Sequence, residues 1–214
     1  VTQSQVNEKG DYTFTSGFRA LLRHDPDVIL IGEIREFSTA KLAAEASLTG
    51  HTVFSSLHTN SAIGAITRLR NLGLERYNIA SAINAIFAQR LVRLVCPHCR
   101  KMEKISLPQP LQTTINRVLK VYPELSMGLP KDPQDDHTSF HLNMPVGQGC
   151  HICSHSGYLG QTALCEAIVF ETTLRQKITE GETESELLEC VDNTTDHLSL
   201  FEDGIALVLR GETN

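Results

Sequence analysis

Glu33, Arg35, His58, Thr59 and Asn60 each stand just past a short apolar run, the first two after Val28 to Ile31 and the last three after Thr52 to Ser56. A carboxylate beyond the end of a buried strand can position a metal-bound water or accept a proton. An imidazole donates, accepts and titrates near neutrality, so His58 can read the state of a nearby phosphate or carboxylate. Gly32, immediately before Glu33, permits close approach of a ligand or an unusual backbone dihedral. Plainer roles are open to the same residues. Glu33 can be a surface carboxylate in a strand-to-helix loop, and Thr59, Asn60 or Ser61 can cap the following helix. Arg19 and Arg23 share a helix face, where they either stay solvated or reach for phosphate across an interface.

A second chemistry lies in the cysteines. Four of the six form pairs, Cys96 with Cys99 and Cys150 with Cys153, while Cys165 and Cys190 stand alone. Tetrahedral zinc takes four sulfur or imidazole ligands, and two close pairs preset its geometry while the chain between them varies. The spacing predicts a structural four-cysteine zinc site, with His98, His151 and His155 as substitute ligands or surface residues. A thioredoxin-like redox pair is the competing reading, but the strand and helix context it needs is absent.

These side chains need elements to hold them. Val28 to Ile31 and Thr52 to Ser56 read as strands flanking a helix from Ser38 to Leu48, and in a parallel α/β sheet ligands are handled beyond the carboxyl ends of the strands. The uninterrupted VILI predicts a strand covered on both faces. Residues 2 to 14 suggest an edge strand and loop with a turn at Gly10 and Asp11. Thr15 or Ser16 caps a helix containing Phe18, Leu21 and Leu22 that ends at Asp25 and Pro26. Helices follow over Ala62 to Leu72 and Tyr77 to Gln89, then an apolar stretch from Leu91 to Val95. Between the cysteine pairs a helical piece around Leu111 to Val121 gives way to a loop-rich arm with Pro123, Gly128, Pro130 and Pro133. A turn at Gly157, Tyr158 and Gly160 leads to a strand over Thr162 to Val169. Thr172 caps a helix to Ile178, Ser185 to Val191 forms another, and Phe201 to Leu209 is a last helix interrupted near Gly204 and stopped by Gly211.

At 214 residues, 41% hydrophobic and 21% charged, the chain can build one substantial core, or one core and a satellite. A formal charge of -6 argues against a dedicated nucleic-acid surface. No apolar run is long enough to predict a transmembrane helix, and the polar start does not resemble a signal peptide. A cytoplasmic location is the default. Because the chain opens at Val1 without Met, it is expected to be a fragment of something longer.

The segments TQSQVN, GFRALLRHDPDVILIGEIRE, AxxASLTGHTVFSSLHTN, AQRLVRLVCPHC and GCxxCxxSGYLGQTALCE together resemble the C-terminal ATPase domain of the secretion and pilus-assembly ATPases, particularly the type II secretion and type IV pilus extension ATPases. The resemblance covers essentially the whole chain. It implies an α/β fold: a partial RecA-like P-loop NTPase core, a tetracysteine zinc-binding module and a small C-terminal helical subdomain. The corresponding divisions are residues 1–95, 96–160 and 161–214. It further implies a homo-hexameric motor that hydrolyses ATP with magnesium, peripheral on the cytoplasmic face of the inner membrane. Its partners would be an inner-membrane platform protein and an ATPase-recruiting membrane protein, with no nucleic acid.

By the same resemblance ILIGE is the Walker B segment, with Glu33 helping to hold magnesium and its water shell, and SSLHTN carries the histidine box, with His58 as a γ-phosphate or interdomain sensor. Gly32 and Thr59 would belong to the nucleotide site. Arg19, Arg23 and Arg35 become candidates for charge stabilisation at the nucleotide interface, the first two as residues supplied by a neighbouring subunit. Cys96, Cys99, Cys150 and Cys153 match a zinc motif of extension-type members. The sequence also departs from the family pattern. Phe18 stands where Leu is usual, Glu36 where Asp is usual, and Gln161 and Ala163 lie in a segment that often reads GRTG. There is no GxxxxGK[ST] among the 214 residues, and the family's acidic box is missing too. The polypeptide by itself is therefore expected neither to bind ATP tightly nor to turn it over. The alternative is a noncatalytic zinc-stabilised module that docks to the membrane platform or to ATPase subunits.

Overall fold

A computed structural model describes residues 2–7, 12–108, 110–128, 139–194 and 196–214. In chain order the elements are α1 (Phe14–Leu22), β1 (Val28–Ile31), α2 (Phe37–Leu48), β2 (Thr52–Ser55), α3 (Ala62–Asn71), α4 (Arg76–Ala82), β3 (Ala85–Val95), β4 (Arg100–Pro108), α5 (Pro110–Val121), β5 (Ser139–Gly147), β6 (Tyr158–Val169), α6 (Thr172–Glu180), α7 (Glu184–Thr194) and α8 (Leu200–Leu209). They divide between two compact units, one comprising Val1–Ile86 and Ile168–Thr195, the other Phe87–Ala167 and Asp196–Asn214.

In the first unit, β1 and β2 pair in parallel from Val28↔Thr52 to Ile31↔Ser55. The connecting α2 buries Thr39, Ala40, Leu42, Ala43, Ala44 and Ala46, small side chains that let the helix approach closely. Only one face of β1 is covered. Ile29 and Ile31 are buried, whereas Leu30 is 80% exposed, so the expectation of a strand covered on both faces is corrected. An all-apolar run cannot by itself say how many layers pack against it. Thr13, rather than Thr15 or Ser16, caps α1: its hydroxyl accepts from the Ser16 N–H while Ser16 Oγ accepts from the Thr13 N–H. Residues 2–7 are not in a strand, and the turn expected at Gly10 and Asp11 lies outside the described residues.

The helix expected over Tyr77 to Gln89 ends at Ala82, and the chain turns extended at Ile83 before entering β3. Ile79, Ala82, Ile83, Ile86 and Phe87 fit a helical period, but pairing of β3 with β6 decides the outcome. Arg175 of α6 fixes the preceding turn, its Nε donating to Phe170 O at 2.8 Å and its guanidinium also donating to Ala80 O. Thr172 is the first residue of α6 and not its cap, which is Glu171.

The second unit contains the antiparallel pair β4 and β5, in register from Arg100↔Gly147 to Pro108↔Ser139. Neither strand was expected from the sequence; most of the loop-rich arm expected after α5, with Pro130 and Pro133, lies outside the described residues. The missed signal is the alternation of Phe140, Leu142, Met144 and Val146. Helices α5 and α8 pack together, with Val118, Leu198 and Ala206 in their buried contact. Helix α8 runs unbroken through Gly204, beside Leu164 of β6. No helix among the described residues is long and apolar enough to cross a membrane.

Candidate functional site

Past the ends of β1 and β2 the structure brings Glu33, Arg35 and His58 together. An Arg35 guanidinium nitrogen lies 2.5 Å from Glu33 Oε1, and His58 Nε2 lies 3.0 Å from Glu33 Oε2. A carboxylate accepts hydrogen bonds, so this geometry places the imidazole proton on Nε2. The Arg35 hydrogen bond is the main influence holding the Glu33 carboxyl below the usual carboxylate range, with His58 adding to it and partial burial opposing it. The Glu33 side chain is 31% exposed and that of His58 is 86% exposed, so both remain open to a ligand.

The neighbouring candidates divide. Gly32 has no positive φ, and a Cβ added there would meet nothing within 4 Å, so neither strain nor crowding within the chain demands glycine. Its carbonyl accepts a hydrogen bond from Ser56 Oγ at 2.6 Å, a residue the sequence did not single out. Thr59 Oγ1 donates to Ser61 O at 3.1 Å, and Ser61 is the cap of α3, accepting from the Gly64 N–H. Thr59 thus braces the start of that helix. Arg19 lies on α1 and Arg23 at its C-terminal cap, both exposed, and among the described residues the ion pairs of Glu33 are with Arg35 and His58.

In the second unit the four paired cysteines converge. Their sulfurs all lie within 4.8 Å of one another. Individual separations are 4.0 Å for Cys96 to Cys150, 3.9 Å for Cys99 to Cys153 and 3.7 Å for Cys150 to Cys153. A tetrahedral ion with metal–sulfur bonds of about 2.3 Å requires sulfur separations of about 3.8 Å, so the donor set fits a thiolate-bound metal. All six cysteines are free thiols. The knuckles are shaped by backbone: Cys96 N–H donates to Gly157 O at 2.9 Å, Gln148 N–H donates to Cys99 O at 3.1 Å, and Ser154 and His155 take left-handed conformations. His98, His151 and His155 are exposed, and none joins the cluster.

The Cys150 N–H, donating to Cys153 Sγ at 3.2 Å, draws the Cys153 thiol down to about 6. Burial, with help from the adjacent thiols, pushes Cys99 up to about 12. Four neighbouring thiols cannot all ionise without a cation to balance them, so metal binding would release protons.

Residues 1–214 match the family model described as type II/IV secretion system protein. Type II secretion system protein E of Aeromonas hydrophila is 42% identical over 214 residues, which is 100% of this chain and 38% of that protein. The type IV pilus assembly ATPase PilB of Thermus thermophilus is 38% identical over 213 residues, covering 100% of this chain and 22% of that one. The chain thus spans well under half the length of these relatives. Among solved structures, the pilus retraction motor PilT with bound ADP aligns with a TM-score of 0.58 at 21% identity, over 96% of this chain and 43% of that chain. The ATPase DotB of Legionella pneumophila gives a TM-score of 0.60 at 20% identity, over 100% of this chain and 43% of that chain. At those identities the two structures establish a shared α/β fold.

Proposed function

Because the chain belongs to the type II/IV secretion system protein family, we propose that it supplies the Walker B half of the catalytic centre of a secretion or pilus-extension motor ATPase. The observation that carries this reading is the 3.0 Å contact of His58 with Glu33 beyond the ends of two parallel strands. In this reading residues 1–95 would hold the half-site, residues 96–160 the zinc module, and residues 161–214, which open with most of β6, a mainly helical remainder.

When bound, magnesium and ATP supply the reactive phosphoryl group and neutralise charge that develops on it. Glu33 would be the carboxylate that holds the ion's water shell, in keeping with magnesium's habit of taking one or two carboxylates beside phosphate oxygens. His58, tied to Glu33, orients that carboxylate and presents its exposed ring to the γ-phosphate. Arg35 balances the Glu33 charge, and its exposed guanidinium can exchange this partner for a phosphate. Gly32 leaves room for nucleotide, and Thr59 keeps the histidine segment in place by bracing Ser61. Arg19 and Arg23 offer charge to a nucleotide held by an adjacent subunit in a homo-hexamer. The four cysteines would hold zinc, the feature that favours an extension or secretion motor. The motor would sit on the cytoplasmic face of the inner membrane, docked to a platform protein and an ATPase-recruiting protein.

Two preparations test the reading. The isolated, zinc-loaded chain has no phosphate-cradling loop and is expected to turn over no MgATP above a blank. A chimera in which it replaces the aligned 214 residues of the Aeromonas relative is expected to hydrolyse MgATP. Activity of the isolated chain, or a folded and zinc-replete chimera without activity, would contradict the proposal.

A further inference from the structure

The strand β1 reaches Glu33 out of phase. Thr52 N–H donates to Asp27 O at 3.1 Å, and the parallel register runs to Ile31↔Ser55. Carried one step further, the evenly alternating bonds of a parallel ladder would set Glu33 N–H against Ser56 O. Ile34 N–H takes that place instead, at 3.0 Å. The β1 side therefore holds one residue more than the β2 side, as in a β-bulge.

Burial shows the consequence. Ile29 and Ile31 point inward, and alternation would send the side chain of residue 33 the same way. The next buried side chain is Ile34, and Glu33 is released toward His58 and Arg35. Ser56 spans the slip with both its polar groups: its carbonyl accepts from Ile34 N–H and its hydroxyl donates to Gly32 O at 2.6 Å. The backbone bond can be made by any residue at this position. The hydroxyl bond is specific to the side chain, and it engages the carbonyl just before Glu33.

We propose that Ser56 is a positioning residue for Glu33: its hydroxyl locks the one-residue slip that turns the carboxylate out of the core phase and onto His58. Its importance for catalysis rests on the reading of Glu33 as the magnesium-positioning carboxylate.

The test is nuclear magnetic resonance on the 214-residue chain without nucleotide, reading the nuclear Overhauser contact between the His58 ring protons and the Glu33 Hγ protons. Ser56 is exposed, so a larger side chain has room. Ser56→Thr keeps the hydroxyl, Ser56→Val has the same shape without it, and Ser56→Ala removes it with least disturbance. The contact is expected in the wild-type chain and in Ser56→Thr, and lost in Ser56→Ala and Ser56→Val, with amide resonances distant from the site unchanged. Persistence in either variant lacking the hydroxyl, or loss in Ser56→Thr, would overturn the proposal. No ATP is involved, so such a failure would leave the ATPase reading standing. Failure of the chimera to hydrolyse ATP would in turn leave this contact untouched.

Discussion

Glu33 accepts hydrogen bonds from a permanent cation, Arg35, and from a titratable ring, His58. Its carboxyl is held below its ordinary value of 4.5, with the Arg35 hydrogen bond as the largest cause. A carboxylate whose folded value is depressed contributes stability that is complete above the unfolded value and lost as pH falls through the folded one. The wild-type chain and Glu33→Gln should therefore differ in denaturation midpoint near neutrality and converge as pH drops below 4.5. Urea titrations at a series of pH values check this; a difference that grows on acidification would contradict it. Glu33 and His58 were legible as candidates because each follows an apolar run directly. Ser56 was not, because its role exists only once Ile34 takes the bond that regular pairing assigns to Glu33.

Among the elements, the sequence located β1, α2 and β2 to within a residue or so, since the two apolar runs and the helical stretch between them agree on a strand, helix, strand unit. It misjudged those whose identity depends on distant partners. The segment 85–95 fits either period until β6 lies beside it, and β4 shows little apolar alternation of its own before β5 pairs with it. Glycines in this unit separate local from tertiary constraint. A Cβ on Gly204 would sit 3.7 Å from Leu164, ordinary contact inside a continuous helix, so Gly204→Ala is expected to stabilise by about 0.5–1 kcal/mol. Gly157 has φ +79° and its added Cβ would lie 2.7 Å from the Gly147 carbonyl, so Gly157→Ala should destabilise and loosen the knuckle that its own carbonyl supports. Chemical denaturation of the two variants measures both signs, and equal effects would contradict the distinction.

For the molecule as a whole, the cysteine pairs were the most legible tertiary feature, because two pairs far apart in sequence need a common ion to explain them. The structure brings all four sulfurs within 4.8 Å of one another, and three of the separations, 3.7–4.0 Å, are those a tetrahedral metal requires. Native mass spectrometry should find about one zinc per chain, lost when Cys96 or Cys150 is replaced by serine. Because ligands must lose protons, zinc should also be released on acidification, with the unfolding temperature falling as it leaves. Stoichiometric zinc in both serine variants would defeat the site. The sequence was equally direct about what accompanies Glu33 and His58: a resemblance over the whole chain, and no phosphate-cradling loop within it. Whether these two residues act on MgATP once that loop is supplied decides their assignment. In the chimera with the Aeromonas relative, Glu33→Gln is predicted to lower kcat by about 100-fold or more while nucleotide still binds. Turnover within a few-fold of the unsubstituted chimera would contradict the assignment of Glu33.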